Sequence, residues 1–305
     1  MWCRSLFIKN KEILKAEGPI LIAANHPNSF LDAILLCSLF KRPIYSLARG
    51  DAFKNKLVHK FLLSLNMFPV YRVSEGVENL EENYKTFDEC LKVFKKNGIV
   101  LIFSEGKCIN EWHLRQLKKG TARLAITAWE QGIPLKVIPL GINYQSFKSF
   151  GKNIFANFGK FITRENIAFN NEDTYGAKVQ TFNAALKLQL QELVFEIEAN
   201  NSAQLHQSFF QKISTLKKLL LLLPAILGYI LHAPLYIPVK QFAYQKFGKI
   251  DHYDSVVVGI LFILYPIYLI ILTIVLSYFV GLWAVLIFVL LPFFAWSFVQ
   301  IKKQF

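Results

Sequence analysis

The feature that most constrains this chain is a long uncharged stretch near its end. From Ser255 to Ile301, 47 consecutive residues contain no Asp, Glu, Lys, Arg or His. As a single helix this stretch would be about 70 Å long, more than twice the ~30 Å hydrocarbon thickness of a bilayer. The sequence therefore predicts a transmembrane hairpin, with spans at about 255–276 and 282–300.

The net charge narrows the choice of partners. The chain carries +14, with 35 Lys and Arg against 21 Asp and Glu. Such an excess suits nucleic acid, an anionic membrane or phosphorylated small molecules. Nucleic-acid binding gives no reason for a long uncharged apolar tract, so we expect a lipid bilayer and no nucleic acid. Lysines flank the predicted hairpin on both sides, which predicts an integral membrane protein with those flanks in the cytoplasm.

The segment before the hairpin is apolar but irregular. Residues 217–239 include Pro224, Pro234 and Pro238. Each proline frees a backbone group that hydrocarbon cannot satisfy. We therefore favour an interfacial or re-entrant segment over a third span. A simple anchor without any part in chemistry is an alternative for the whole region 206–305.

The first two thirds of the chain show a different pattern. In residues 1–205, short apolar runs rich in β-branched residues alternate with helical stripes such as 78–96 and 175–200. This alternation is typical of an α/β domain with a mixed, largely parallel sheet flanked by helices. We predict a catalytic domain at 1–205, followed by an all-α membrane region at 206–305.

The cysteines and histidines give no sign of a metal site. The four cysteines, at positions 3, 37, 90 and 108, show neither CxxC spacing nor the pattern of a disulfide framework. We expect buried thiols in a reducing compartment. The His and Asp residues form no ligand cluster in the sequence, so no metal is expected.

The strongest candidate for catalysis follows an apolar, strand-like run. In the string Asn-His-Pro-Asn-Ser-Phe-Leu-Asp, at residues 25–32, Pro27 and the two residues after it favour a turn and a helix start near Phe30. His26 then lies in the loop and Asp32 in the first helical turn. A carboxylate bonded to one imidazole nitrogen leaves the other as a base of fixed tautomer. The pair is the base and orienting half of a catalytic triad, whose nucleophile would be a substrate hydroxyl.

Four ordered segments resemble the sequence blocks of the glycerol-3-phosphate and lysophosphatidate acyltransferase family. They are residues 25–32, 65–72, 103–106 and 137–140, with the basic run 117–123 after the third block. The resemblance covers about residues 18–165. It implies a glycerolipid-acyltransferase-like fold and transfer of a fatty acyl group from a thioester to a glycerol-phosphate hydroxyl.

The same resemblance implies roles for individual residues. His26 would deprotonate the acceptor hydroxyl, Asp32 would orient His26, and Arg72 would bind the acceptor phosphate. Glu105 and Gly106 would shape the acceptor pocket. The donor would be acyl-CoA or an acylated carrier protein, with no further cofactor. Backbone N–H groups near the first and third blocks would stabilise the oxyanion, and the sequence does not say which.

Two departures from the family pattern bear on the substrate. Five residues separate His26 from Asp32 instead of the common four, which resembles the fungal-type glycerol-3-phosphate/dihydroxyacetone-phosphate branch. The third block lacks the usual Thr-Arg-Ser and its phosphate-binding Arg. We expect Lys107, Arg115 or Lys118 to substitute for it.

The tail resembles that same branch at residues 232–240 and 254–256. We therefore favour glycerol 3-phosphate or dihydroxyacetone phosphate as the acceptor, in phosphatidic acid and phospholipid biosynthesis. One alternative is a 1-acylglycerol-3-phosphate, or another lysophospholipid, as acceptor. An alternative of another class is a non-catalytic membrane protein that binds lipid.

Overall fold

The computed structural model describes residues 2–71, 80–170, 172–198 and 200–304. The chain divides into two compact units. The larger unit comprises Ile8–Asn143 and Phe155–Glu198, and the smaller comprises Met1–Phe7, Tyr144–Ile154 and Ala199–Phe305. Both units are discontinuous in sequence, whereas the predicted boundary near residue 205 is a single cut.

Within the described residues, seven strands form one sheet. They are β1 (Cys3–Lys9), β2 (Ile20–Ala24), β3 (Ile44–Arg49), β4 (Met67–Val70), β5 (Ile99–Phe103), β6 (Lys136–Tyr144) and β7 (Lys152–Phe158). Their order is β1-β7-β6-β2-β5-β3-β4. The β2–β5, β2–β6, β3–β4 and β3–β5 pairs are all parallel. Every residue of β2 is buried, as expected for a central parallel strand. The predicted largely parallel α/β sheet is confirmed.

In the described part of the larger unit, five α-helices accompany the strands. They are α1 (Phe30–Leu39), α2 (Lys56–Ser64), α3 (Leu80–Lys95), α4 (Lys119–Glu130) and α5 (Tyr175–Leu193). Apolar residues of α3, α4 and α5 form one hydrophobic core with alternate residues of β2 and β5, such as Leu21 and Val100. Because side chains alternate across a strand, this core covers one face of the sheet.

Four helices make up most of the smaller unit. They are α6 (Ser202–Phe209), α7 (Thr215–Phe247), α8 (Tyr253–Val280) and α9 (Ile287–Ile301). A 3-10 segment, Gly281–Leu286, separates α8 from α9, and Gly281 opens it with a φ of +59°. The stretches Thr215–Phe247 and Tyr253–Ile301 are long and apolar enough to cross a membrane by length and composition, a criterion that buried core helices of soluble proteins also meet.

Helix α7 changes its packing partner along its length. Its first half contacts α9, as in the pairing of the Tyr229 and Phe298 rings, whose centroids are 5.5 Å apart. Its second half contacts α8, where His232 Nε2 lies 3.1 Å from the Tyr265 hydroxyl. The change falls near Pro234, where the missing N–H and the ring disturb the helical hydrogen-bond ladder. Residues 217–239, which the sequence predicts to be an interfacial or re-entrant segment, lie within this continuous helix.

Charged side chains explain why distant parts of the sequence share the smaller unit. Lys152 and Asp254 form an ion pair with 0% and 1% of their side chains exposed. The indole nitrogen of Trp2 donates to the same Asp254 carboxylate at 2.8 Å. Arg4 donates from Nε to the Val299 carbonyl at 2.9 Å. These bonds join the chain start and the segment 144–154 to α8 and α9.

The four cysteines are all free. Cys90 and Cys108 are buried as predicted, and burial raises the pKa of the Cys90 thiol to about 12. Cys3 is half-buried and Cys37 is exposed, so the expectation of buried thiols was wrong for Cys37. Cys37 lies near the end of α1 and is not among the buried residues of that helix.

Candidate active site

The candidate site begins where β2 and β5 of the larger unit end together, beside the middle of β6. Ala24, the last residue of β2, pairs with Phe103 of β5 and with Leu140 of β6. Because these strands are parallel, the residues that follow them meet at one edge of the sheet. Asn25 fixes this edge through two hydrogen bonds with the Ile142 backbone. Its amide nitrogen donates to the carbonyl at 3.0 Å, and its amide oxygen accepts from the N–H at 2.7 Å.

The turn after β2 brings His26 and Asp32 together. Ser29 adopts a φ of +52°, and α1 begins at Phe30, as predicted. His26 Nδ1 lies 2.9 Å from Asp32 Oδ2, and the Asp32 side chain is fully buried. The same oxygen accepts the Asn28 backbone N–H at 2.9 Å. An ionised Asp32 accepts hydrogen bonds only, so Nδ1 carries the proton and Nε2 is the basic nitrogen.

The imidazole of His26 is also held from one face. It stacks on the Phe103 ring with a centroid distance of 3.8 Å and an angle of 10° between the planes. The side chain remains 18% exposed. The described residues place no hydrogen-bond partner at Nε2. A fixed ring with one engaged and one accessible nitrogen has the geometry of a general base.

Glu105 links the turn to the segment that follows β5. This residue is 4% exposed. One carboxylate oxygen accepts the His26 backbone N–H at 3.0 Å, and the other accepts the Arg115 backbone N–H at 3.0 Å. Arg115 also donates from Nη2 to Glu105 Oε2 at 2.9 Å, and its Nε lies 3.0 Å from a carboxylate oxygen of Glu111. Arg115 therefore neutralises two carboxylates beside the turn.

The segment between Glu105 and α4 supplies two accessible cations. Lys107 and Lys118 are exposed. Gly106 has a φ of +68°, and a Cβ atom added there would lie 3.1 Å from Lys118 Cγ. The Lys118 backbone N–H donates to the Ser104 carbonyl at 2.8 Å. These contacts place the start of α4 beside the turn that contains Gly106.

The structure thus brings most of the predicted site residues together in the larger unit. His26, Asp32, Glu105 and Arg115 form a chain of direct contacts, and Gly106 adjoins Lys118. Arg115 Nη2 also donates to the Lys107 carbonyl. Arg72 lies outside the described residues. Within the described ranges, no group of three or more His, Cys, Asp or Glu side chains could hold a metal ion.

Three further residues support the turn, although the sequence pattern predicts no role for them there. They are Asn25, Phe103 and Cys108, whose sulfur accepts the Ser29 N–H at 3.0 Å. Asn25 and Phe103 stand inside the first and third motifs, so their position in the motif was the available signal. Nothing in the sequence pairs Cys108 with Ser29, because that contact depends on the path of the loop after β5.

Backbone N–H groups of the turn are already engaged. Those of His26, Asn28 and Ser29 donate to Glu105, Asp32 and Cys108, respectively. The N–H of Gly106 donates to the Phe103 carbonyl at 3.0 Å. In this conformation, these four groups hold the turn and do not point at an incoming substrate.

Residues 5–143 match the acyltransferase family. The match covers less than half of the chain, and it includes every predicted site residue. A 1-acyl-sn-glycerol-3-phosphate acyltransferase of Bacillus subtilis (strain 168) is 29% identical over 119 residues, which are 39% of this chain. This chain spans 55% of the length of that relative.

A solved acyltransferase structure is also similar to this chain. It is the 1-acyl-sn-glycerophosphate (LPA) acyltransferase PlsC from Thermotoga maritima. The two chains share 13% sequence identity and superpose with a TM-score of 0.40. The similarity covers 62% of this chain and 72% of the acyltransferase chain.

Proposed function

We propose that the protein is an acyltransferase that moves a fatty acyl group from a thioester to a hydroxyl of a glycerol-phosphate acceptor in phospholipid biosynthesis. The observation that carries the proposal is the His26–Asp32 pair, with its buried carboxylate and accessible Nε2. The acyltransferase match over residues 5–143 supports the same reaction.

The reaction would proceed without a protein nucleophile. Nε2 of His26 takes the proton of the acceptor hydroxyl as the oxygen attacks the thioester carbon. The carbonyl oxygen becomes an oxyanion, and the carbon–sulfur bond then breaks. His26 returns the proton to the departing thiolate, so the base is regenerated. Asp32 stabilises the imidazolium and keeps the tautomer fixed throughout.

Lys107 and Lys118 are our candidates for the acceptor phosphate, together with Arg72. Both lysines are exposed beside Gly106. Arg115 is less suited to this role, because its guanidinium pairs with Glu105 and Glu111. The donor would be acyl-CoA or acyl carrier protein, which the site needs only for its thioester.

The acceptor we favour is a 1-acylglycerol-3-phosphate. The similarity to the Bacillus subtilis 1-acyl-sn-glycerol-3-phosphate acyltransferase supports this choice. The second candidate is glycerol 3-phosphate or dihydroxyacetone phosphate, favoured by the five residues between His26 and Asp32 and by the resemblance of the tail. The three acceptors differ in whether an acyl chain is already present and in whether one or two hydroxyls are free.

The protein would act at a membrane. Two stretches, Thr215–Phe247 and Tyr253–Ile301, meet the length and composition of membrane helices. A cytoplasmic larger unit would meet a soluble thioester donor, while the product would enter the bilayer. Retention in the pellet after an alkaline wash of cell membranes would support this placement, and release into the supernatant would exclude it.

An acceptor panel with matched variants tests the function. Purified wild-type protein is offered each of the three acceptors with one acyl-CoA, and thiol release and lipid product are both measured. We expect His26→Ala to lose about 10²–10⁴-fold in kcat. His113→Ala is the matched control, since His113 also pairs with a carboxylate, at 2.7 Å from Glu196, but on the surface. Lipid binding without thiol release in the wild type would favour the non-catalytic alternative.

A further inference from the structure

A groove in the smaller unit runs between α7 and the end of α9. Its volume is about 380 Å³, within the range of about 300–1,000 Å³ that small-ligand pockets occupy. Its lining consists of Leu222, Ala225, Ile226 and Tyr229 of α7 and Phe298, Ile301 and Lys302 at the end of α9. Six of these seven residues are apolar or aromatic, and the only charge belongs to Lys302.

The lining follows the helical repeat on both sides. Positions 222, 225, 226 and 229 lie on one face of α7 and cover about 10 Å along its axis. Positions 298, 301 and 302 lie on one face at the end of α9. The groove is therefore elongated and apolar with a cation at one end. An acyl chain with an anionic head has the same arrangement.

Lys302 is a restrained cation. Its stem packs on Gly151, where an added Cβ would lie 3.1 Å from Lys302 Cε. One of its three N–H donors goes to the Phe150 carbonyl. Burial and the nearby charges of Arg4, Lys152 and Lys240 lower the pKa of Lys302 to about 8. Lys302 has no ion pair with a carboxylate within the part of the chain that the structure describes.

Arg4 adds a second charge next to it. Its Nη2 donates to the Lys302 carbonyl at 2.7 Å. The residue is 7% exposed, and its Nη1 is buried without a hydrogen-bond partner among the described residues. A buried donor of this kind costs free energy until a partner reaches it.

The smaller unit has an excess of positive charge that favours binding of an anion. Its sequence ranges contain eleven Lys and Arg residues and two Asp residues, with no Glu. Asp254 is paired with Lys152. A phosphate group offers several acceptor oxygens and suits both an ammonium and a guanidinium.

We propose that this groove binds one anionic phospholipid, with an acyl chain along α7 and α9, the phosphate against Lys302, and Arg4 adding positive charge beside Lys302. The inference rests on the membrane placement in the proposed function, but it does not depend on acyl transfer. Because one N–H of Lys302 already holds the Phe150 carbonyl, the phosphate uses the two ammonium donors that remain.

The test counts bound lipids on the purified full chain. Native mass spectrometry in detergent is performed with phosphatidate, with phosphatidylcholine and with inorganic phosphate. We expect one phosphatidate to bind at least about tenfold more tightly than phosphatidylcholine, because charge-assisted hydrogen bonds supply the difference. Inorganic phosphate alone should not bind measurably. Equal affinity for the two lipids, or equally tight binding of inorganic phosphate, would overturn the proposal.

Two pairs of variants measure separately the contribution of the Lys302 charge and that of the open groove to lipid binding. Lys302→Met keeps the apolar stem and should lower the affinity for phosphatidate about tenfold, whereas Lys303→Met, at the exposed neighbour, should change it less than twofold. Ile226→Trp fills the groove and should weaken phosphatidate binding, whereas Ile230→Trp, at an exposed position outside the lining, should not. Equal effects within either pair would refute the assignment.

These outcomes are independent of catalysis. An inactive wild type that still binds phosphatidate selectively would contradict the proposed function and leave the groove assignment intact. An active wild type without selective lipid binding would contradict the groove assignment alone. Unfolding midpoints of all four variants in detergent identify any loss of binding that comes from misfolding.

Discussion

At the scale of single residues, pairing with a carboxylate does not by itself make a histidine a base. His113 lies 2.7 Å from a Glu196 oxygen, yet the two side chains are 50% and 46% exposed. His26 differs in three ways. Its carboxylate partner is fully buried, its ring stacks on Phe103, and its backbone N–H is held by Glu105. Its orientation is therefore set before any substrate arrives.

Removing the orienting charge should slow the chemical step. We predict that Asp32→Asn lowers kcat about 10²–10⁴-fold with a smaller change in KM for the acceptor, because the wrong tautomer of His26 becomes favoured. Steady-state kinetics with the preferred acceptor measure this. Glu196→Gln serves as the matched control and should stay within about twofold. A rise in KM with unchanged kcat would contradict the role given to Asp32.

Substitutions at two glycines with similar backbone angles can distinguish the cost of backbone strain from an effect on the candidate site. Gly106 and Gly132 have φ values of +68° and +71°, and only Gly106 has a neighbour, Lys118, near its added Cβ. We predict that Gly106→Ala and Gly132→Ala each lower the free energy of unfolding by about 1–2 kcal/mol. Only Gly106→Ala should also raise KM for the acceptor, because it displaces Lys118. Denaturant titration and kinetics measure the two effects, and an unchanged KM would remove Lys118 from the phosphate site.

At the scale of helices and strands, local patterns predict where elements begin better than where they end. Helix α1 starts at Phe30 as expected, because its start is encoded in the preceding turn. The stripe predicted to continue to residue 200 stops at Leu193. There the Leu193 carbonyl accepts the side-chain amides of Asn143 and Asn157, each at 2.9 Å. Contacts between distant segments end this helix, and no local signal reports them.

Strand β1 is an element that the local sequence pattern does not indicate. In Cys3–Lys9, the polar residues Arg4, Ser5 and Lys9 interrupt the alternation of apolar residues, so the local pattern does not indicate a strand. Its neighbour in the sheet is β7, which begins at Lys152. A pairing over such a distance in sequence, through a charged strand at the edge of the sheet, leaves little local pattern.

The close approach of α7 and α9 gives a prediction at this scale. A Cβ added to Gly228 would lie 2.1 Å from the Phe294 carbonyl oxygen, whereas one added to Gly259 of α8 would meet nothing within 4 Å. We predict that Gly228→Ala destabilises the protein by about 1–3 kcal/mol through overpacking. Gly259→Ala should be neutral or stabilising, because alanine favours helix. Thermal unfolding in detergent measures both, and equal midpoints would show that α7 can move away from α9 without cost.

At the scale of the whole molecule, the two units differ in charge and in composition. The smaller unit has two acidic residues and the long uncharged tract, whereas nearly all carboxylates belong to the larger unit. The sequence pattern alone indicated this difference in charge and composition. It did not indicate that the first seven residues and 144–154 group with the C-terminal helices, because that grouping depends on the buried Lys152–Asp254 pair and on Arg4.

The proposed membrane placement makes a topological prediction. A hairpin of α8 and α9 would put Lys249 in the cytoplasm and the exposed Trp283 on the opposite side. In intact cells, an impermeant maleimide should label Trp283→Cys, while Lys249→Cys should react only after permeabilisation. The wild type, with its four native cysteines, is the control for background. Labelling of Lys249→Cys in intact cells would reverse the orientation.

The amide of Asn25 has a consequence for which sequences can occupy this site. It both gives a hydrogen to the Ile142 peptide and receives one from it. Aspartate has the length but no hydrogen to give, and glutamine has both groups on a longer arm. Serine is too short to reach twice. Asparagine therefore suits both hydrogen bonds at once, and we expect substitutions at position 25 to be poorly tolerated because they remove at least one of them.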